Sequence, residues 1–221
     1  VMERYYPNPI PQKITFQKFF DCINDAPQHW QGGHQDNFSA DRFLEQMDYP
    51  MAGCAEVEFV WLHGSTLTNP PNYQHHLETY RSPNIKTFVV TAPWFDRDCR
   101  YADIVLPACS KFECDEEVTD LRDAKGYLSL GQKCIDPLFE SKTDLEIERL
   151  IAAQWGYDQY LPKSHEEYAR HRLSKAKGNI EGFTIEKFQA NQGVLRYLDS
   201  DEPVRSTLKF ATDTGRMEPY Y

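Results

Sequence analysis

The sequence predicts an α/β fold, a three-layer αβα arrangement on a parallel sheet with helical appendages. Three β-rich apolar runs, at residues 57–63, 87–91 and 103–106, are each closed by a breaker: Gly64, Pro93 and Pro107. Segments with helical spacing lie between them, so the runs read as strands of βαβ units with right-handed crossovers. The cleanest helix follows. Thr143 and Glu146 form a capping box ahead of Leu145, Ile147, Leu150 and Ile151, and Gly156 supplies the stop.

Taken in order, residues 1–14, with Pro7, Pro9 and Pro11, read as an extended arm. Phe16, Phe19, Phe20 and Ile23 recur at helical spacing and predict a helix over 15–23. A Gly/His/Gln/Asn-rich loop over 31–37 leads to Ser39, an N-cap for a helix over 41–47, and Pro50 and Gly53 break the chain. The strand at 57–63, a Pro/Asn loop and a helix over 73–81 come next. After the strand at 87–91, a short helix over 95–101 precedes the strand at 103–106. An acidic stretch at 113–123 follows, and 126–130 reads as a strand. Helices over 143–155, 164–175 and 184–191 lead to a strand, turn and strand start at 207–218. This divides into an N-terminal arm and helices (1–55), an αβα Rossmann-like core (56–160), a helical region (161–205) and the start of a further domain (206–221).

Composition narrows the function. The 221 residues carry 34 Asp plus Glu against 24 Lys plus Arg, a net charge of -10, without a basic run that would attract a phosphate backbone. Nucleic acid is thus excluded as a partner, and no stretch reaches the roughly 20 apolar residues of a membrane helix. Six cysteines are dispersed in a chain large enough to fold without staples, so free thiols in a reducing compartment and a cytoplasmic location are expected. Cys109 and Cys114 lack the partner pair that zinc spacing requires.

Most catalytic motifs are absent. His165 and His171 are six positions apart rather than the four that put two imidazoles on one helix face, and the adjacent His75 and His76 diverge by about 100°. Ser174 and Lys177 have a hydrolase spacing but fall at a Lys-rich helix end, and Asp115 with Glu116 and Glu117 reads as solvated rather than cation-binding. What remains is position. In an open parallel sheet, ligands bind outside the carboxyl ends of the strands. There Gly64 permits close backbone approach, Ser65 and Thr66 offer hydroxyls and amides to phosphate oxygens, and Thr91 ends the second strand. Asp103 has two readings: a carboxylate accepting from a guanine-like donor edge, or an anchor of its strand against neighbouring backbone.

The ordered strings 61–65, 84–91, 101–108, 133–137 and 140–144 resemble the molybdopterin oxidoreductases of the dimethyl sulfoxide reductase family, and 210–218 resembles that family's passage into its C-terminal domain. Residues 30–33, 48–50 and the Trp94-Phe95 pair are most similar to the pyrogallol-phloroglucinol transhydroxylase branch. The resemblance implies molybdenum on molybdopterin guanine dinucleotide, with Gly64, Ser65, Thr91 and Asp103 on one dinucleotide and Asp103 reading guanine. It also implies an interior fragment of a catalytic subunit, whose partners are the remaining domains of the parent chain and an iron-sulfur electron-transfer subunit. A stand-alone, non-catalytic nucleotide- or partner-binding module is the rival reading. Thr66-Leu67 stands where many family members have Asn-Pro, and Ala92 where they have Asp. No catalytic residue or metal ligand is expected here, and the isolated chain is expected to hold no molybdenum.

Overall fold

The computed structural model describes residues 10–31, 46–64, 73–115, 118–120, 126–176 and 178–197. Among these, contacts separate two units, one of residues 10–90 with 96–104 and one of 91–95 with 105–197.

In the first unit, α1 (Phe16–Asn24) leads to an antiparallel pair, β1 (Gln28–Gln31) and β2 (Gln46–Tyr49), with His29 opposite Asp48 and Trp30 opposite Met47. The pair corrects the expected loop at Gln31 and the expected helix end at Gln46 and Met47; residues 41–45 lie outside the described residues. Inter-strand pairing satisfies the main chain here in place of a helix. Tyr49, 1% exposed, pins the end of β2 because its hydroxyl oxygen accepts from the Val57 amide at 2.6 Å.

The three expected strands form one parallel sheet in chain order: β3 (Phe59–His63), β4 (Thr87–Ala92) and β5 (Ile104–Pro107). Phe88 O accepts from Asp103 N at 2.8 Å, and Ala92 O from Ala108 N at 3.1 Å. The register thus advances in the same sense along both strands. β4 is central, and its run of buried residues from Phe88 to Ala92 is what a strand covered on both faces requires. The helix α2 (Tyr73–Tyr80) connects β3 to β4 and packs on α1. Phe20 stacks on His76 with ring centroids 3.7 Å apart, while Asn24 donates to the Thr79 hydroxyl at 2.7 Å. The expected helix over 95–101 contracts to one 3₁₀ turn, Asp98–Arg100.

The second unit carries an antiparallel sheet of β6 (Val118–Asp120), β7 (Tyr127–Leu130) and β8 (Val194–Arg196). Of its helices, α3 (Asp144–Gln154), α4 (His165–Ser174) and α5 (Ile185–Ala190), the last two bury Ala169, Leu173, Ile185 and Phe188 with Leu128 of β7. The strand β8 falls inside a stretch expected to be helical. Gly193 sends the chain back along β7: its φ is +80°, and a Cβ there would sit 3.1 Å from Leu130 O. The capping box of α3 forms as expected, Glu146 N donating to Thr143 Oγ1 at 3.2 Å and Thr143 N to Glu146 Oε2 at 2.9 Å.

Candidate cofactor-binding site

Gly64 directly follows β3, exposed, with φ +69° and open space where a Cβ would stand. The carboxyl end of β3 therefore presents bare backbone in a conformation that L side chains resist. Just before it, Trp61 and His63, two positions apart on one face of the strand, stack at 4.9 Å. Ser65 and Thr66 lie outside the described residues. Thr91 occupies the carboxyl half of β4 and is 1% exposed. Beyond that strand, Trp94 and Phe95 are 73% and 72% exposed.

Asp103 lies at the other edge. It immediately precedes β5, and its Oδ2 accepts from Phe88 N at 2.8 Å near the amino end of β4. In a parallel sheet this places Asp103 at the amino ends of the strands, while Gly64 and Thr91 belong to the carboxyl ends. The residue is exposed, and Oδ2 serves the neighbouring backbone.

Sequence reasoning missed two buried acids. Asp98 is fully buried beside Tyr80; burial first, and then the Asp98 carboxylate, push the Tyr80 phenol well up. Glu113, the first residue of the acidic stretch, is 7% exposed and accepts from Ser110 N at 2.7 Å, Ser110 Oγ at 2.5 Å and Leu138 N at 2.7 Å. These donors, the Ser110 hydroxyl foremost, hold its carboxyl below the usual range. Of these contacts, only the Ser110–Glu113 pair had a local signal, the Ser-x-x-Glu pattern at 110–113.

The described residues of the discarded motifs have other partners. His75 reaches Asp21 at 3.3 Å, whereas His76 lies against Phe20, so the pair serves the helix interface. Glu166 pairs with Arg170 at 2.8 Å, and Ser174 Oγ donates to His171 O at 2.7 Å; Lys177 lies outside the described residues. All six cysteines are free, and burial pushes the Cys22 thiol up to about 11. Among the described residues no group of three His, Cys, Asp or Glu could hold a metal ion, and no helix is long and apolar enough to cross a membrane.

Residues 31–154, more than half of the chain, match the molybdopterin oxidoreductase family. The chain belongs to that family. It is 28% identical over 174 residues to the pyrogallol hydroxytransferase large subunit of Pelobacter acidigallici, covering 72% of this chain and 19% of that protein. The thiosulfate reductase molybdopterin-containing subunit PhsA of Salmonella typhimurium is 29% identical, covering 64% of this chain and 22% of that subunit. Dimethyl sulfoxide reductase DmsA of Escherichia coli is 26% identical, covering 96% of this chain and 27% of that protein. The chain thus spans about a fifth to a quarter of these relatives, and the family implies a molybdopterin cofactor with molybdenum.

Proposed function

We propose that this chain is part of the catalytic subunit of a molybdenum oxidoreductase or transhydroxylase and that the turn after β3 holds part of a molybdopterin guanine dinucleotide. The observation that carries this reading is Gly64: exposed and left-handed at a strand's carboxyl end, inside the segment that matches the family. Its donor set of backbone amides, with the Ser65 and Thr66 hydroxyls next in sequence, suits phosphate oxygens. When bound, the cofactor supplies metal-centred redox or oxygen-transfer chemistry, and the residues here bind and orient it. A guanine-reading role for Asp103 requires both its Oδ1, because Oδ2 serves Phe88, and a dinucleotide that reaches from the turn after β3 to the amino-end edge of the sheet. The proposed parent is cytoplasmic, and its partners are its remaining domains and an iron-sulfur electron-transfer subunit.

The test uses the natural-length polypeptide. Molybdenum, pterin and acid-released guanine nucleotide are measured in the wild type, Gly64→Val and Gly64→Asn. Valine resists the left-handed backbone and asparagine tolerates it, so Gly64→Val is expected to lose nucleotide and Gly64→Asn to keep most of it. Full nucleotide content in Gly64→Val would remove this turn from the site. A natural polypeptide no longer than this chain would favour a stand-alone binding module.

A further inference from the structure

One face of β3 is aromatic. Phe59, Trp61 and His63 alternate along the strand and so share a face, while Val60, which is buried, turns to the other. Phe59 is 53% exposed, Trp61 is half-buried and His63 is exposed. The rings of Trp61 and His63 stack, with centroids 4.9 Å apart and planes 27° from each other.

That stack has a direction. Residues two apart on a strand are separated by about 6.6 Å along its axis, so these two rings lean together into the start of a column that runs toward the carboxyl end of β3. A further ring added to the column lies on the His63 side, beside Gly64. There the backbone carries no Cβ and open space stands where one would be. The residues next in sequence, Ser65 and Thr66, bring the amides and hydroxyls that suit phosphate. A phosphorylated planar heterocycle meets both demands within one molecule.

We propose that His63, backed by Trp61, is the stacking platform for the 2-amino-4-oxopyrimidine ring that guanine and pterin have in common. The inference deepens the cofactor reading above and rests on it: the turn after β3 takes a phosphate, and His63 takes the face of the heterocycle attached to it. Stacking engages the face of that ring and leaves its edge to hydrogen-bonding groups elsewhere. Trp61 holds the imidazole plane in place beforehand, which lowers the ordering cost of binding.

The experiment uses the natural-length polypeptide as wild type, His63→Leu, His63→Phe and Gly64→Val. Leucine keeps bulk and removes the ring, whereas phenylalanine keeps a ring and removes the nitrogens. His63 is on the surface, so neither replacement opens the core. Release of cofactor from the loaded protein in mild urea is followed by pterin fluorescence and guanine nucleotide in the filtrate. It should be about tenfold faster in His63→Leu and close to wild type in His63→Phe. In the cofactor-free protein, GDP and a phosphorylated pterin are titrated separately, and the probe whose affinity falls about tenfold in His63→Leu identifies the stacked ring. Release from His63→Leu at the wild-type rate, release from His63→Phe as fast as from His63→Leu, or unchanged affinity of His63→Leu for both probes would overturn the platform. If Gly64→Val still loses nucleotide in that case, the cofactor reading stands without it. Full nucleotide content in Gly64→Val would take both down.

Discussion

Asp103 and Phe88 hold each other twice: Asp103 N donates to Phe88 O, Phe88 N donates to Asp103 Oδ2, and both distances are 2.8 Å. The carboxylate thereby continues the main-chain ladder between β4 and β5 by one further bond, at the edge where β5 begins. Asp103→Ala removes this acceptor and should cost about 1 to 2 kcal/mol of stability. Asp103→Asn retains a carbonyl acceptor and should cost less. If Asp103 also reads guanine, Asp103→Asn in the natural-length enzyme loses a charge-assisted contact and weakens cofactor retention by about 10- to 100-fold. Melting temperature and nucleotide content measured on both variants separate the roles, and unchanged nucleotide content in Asp103→Asn leaves only the strand anchor.

The Glu113 carboxyl titrates below its ordinary value of 4.5 because Ser110 and Leu138 donate to its charged form. A depressed carboxyl contributes stability that is present above the unfolded-state value and lost as pH falls through the folded-state value. Glu113→Gln should therefore be less stable than the wild type near neutrality. The difference should shrink once pH drops below the ordinary carboxyl value. Urea denaturation of both proteins across that range checks this, and a pH-independent difference would mean that the charge is not what holds the two loops.

Thr143→Ala removes the side-chain acceptor of the α3 capping box, while Glu146 can still accept from the residue 143 amide. The expected loss is about 1 kcal/mol, read as a lower urea midpoint at constant slope. Thr143→Ser keeps the hydroxyl and should restore most of it.

The purified 221-residue chain is expected to contain no stoichiometric molybdenum and to show no turnover. Metal analysis by mass spectrometry decides the first point. A full equivalent of molybdenum would contradict the view that this chain supplies only part of a cofactor site.

Much of the architecture was legible because the residues concerned act locally. The β3, β4 and β5 runs are apolar and end at Gly64, Pro93 and Pro107, and Thr143 with Glu146 announces α3 within four residues. The strands β1 and β2 escaped notice because Gln28–Gln31 and Gln46–Tyr49 are largely polar and lack strict alternation; their strand character comes from pairing with each other. The strand β8 depends on the turn at Gly193, whose effect is clear only with Leu130 alongside. For the candidate site, Gly64 was legible as a breaker after a strand. The burial of Asp98 and Glu113 was not, because their partners come from the protein's tertiary structure: Tyr80 for the one and Leu138 for the other.

The chain leaves β5 at Cys109 and returns to the same place at Lys142. Lys142 N donates to Pro107 O at 3.2 Å, Cys109 N donates to Lys142 O at 2.9 Å, and Ala108 bridges Lys142 in parallel fashion. Everything between these residues, β6 and β7 included, is an excursion whose two ends are already clamped beside each other, and α3 starts from the clamp. Loop-closure entropy grows only logarithmically with length, so doubling such an excursion costs about 0.6 kcal/mol. Loops within the excursion can therefore lengthen or shorten without shifting β5 or α3, provided β7 keeps its pairing with β8 and Leu128 its place in the core, which makes these loops a natural place for related proteins to diverge in size while keeping the same sheets.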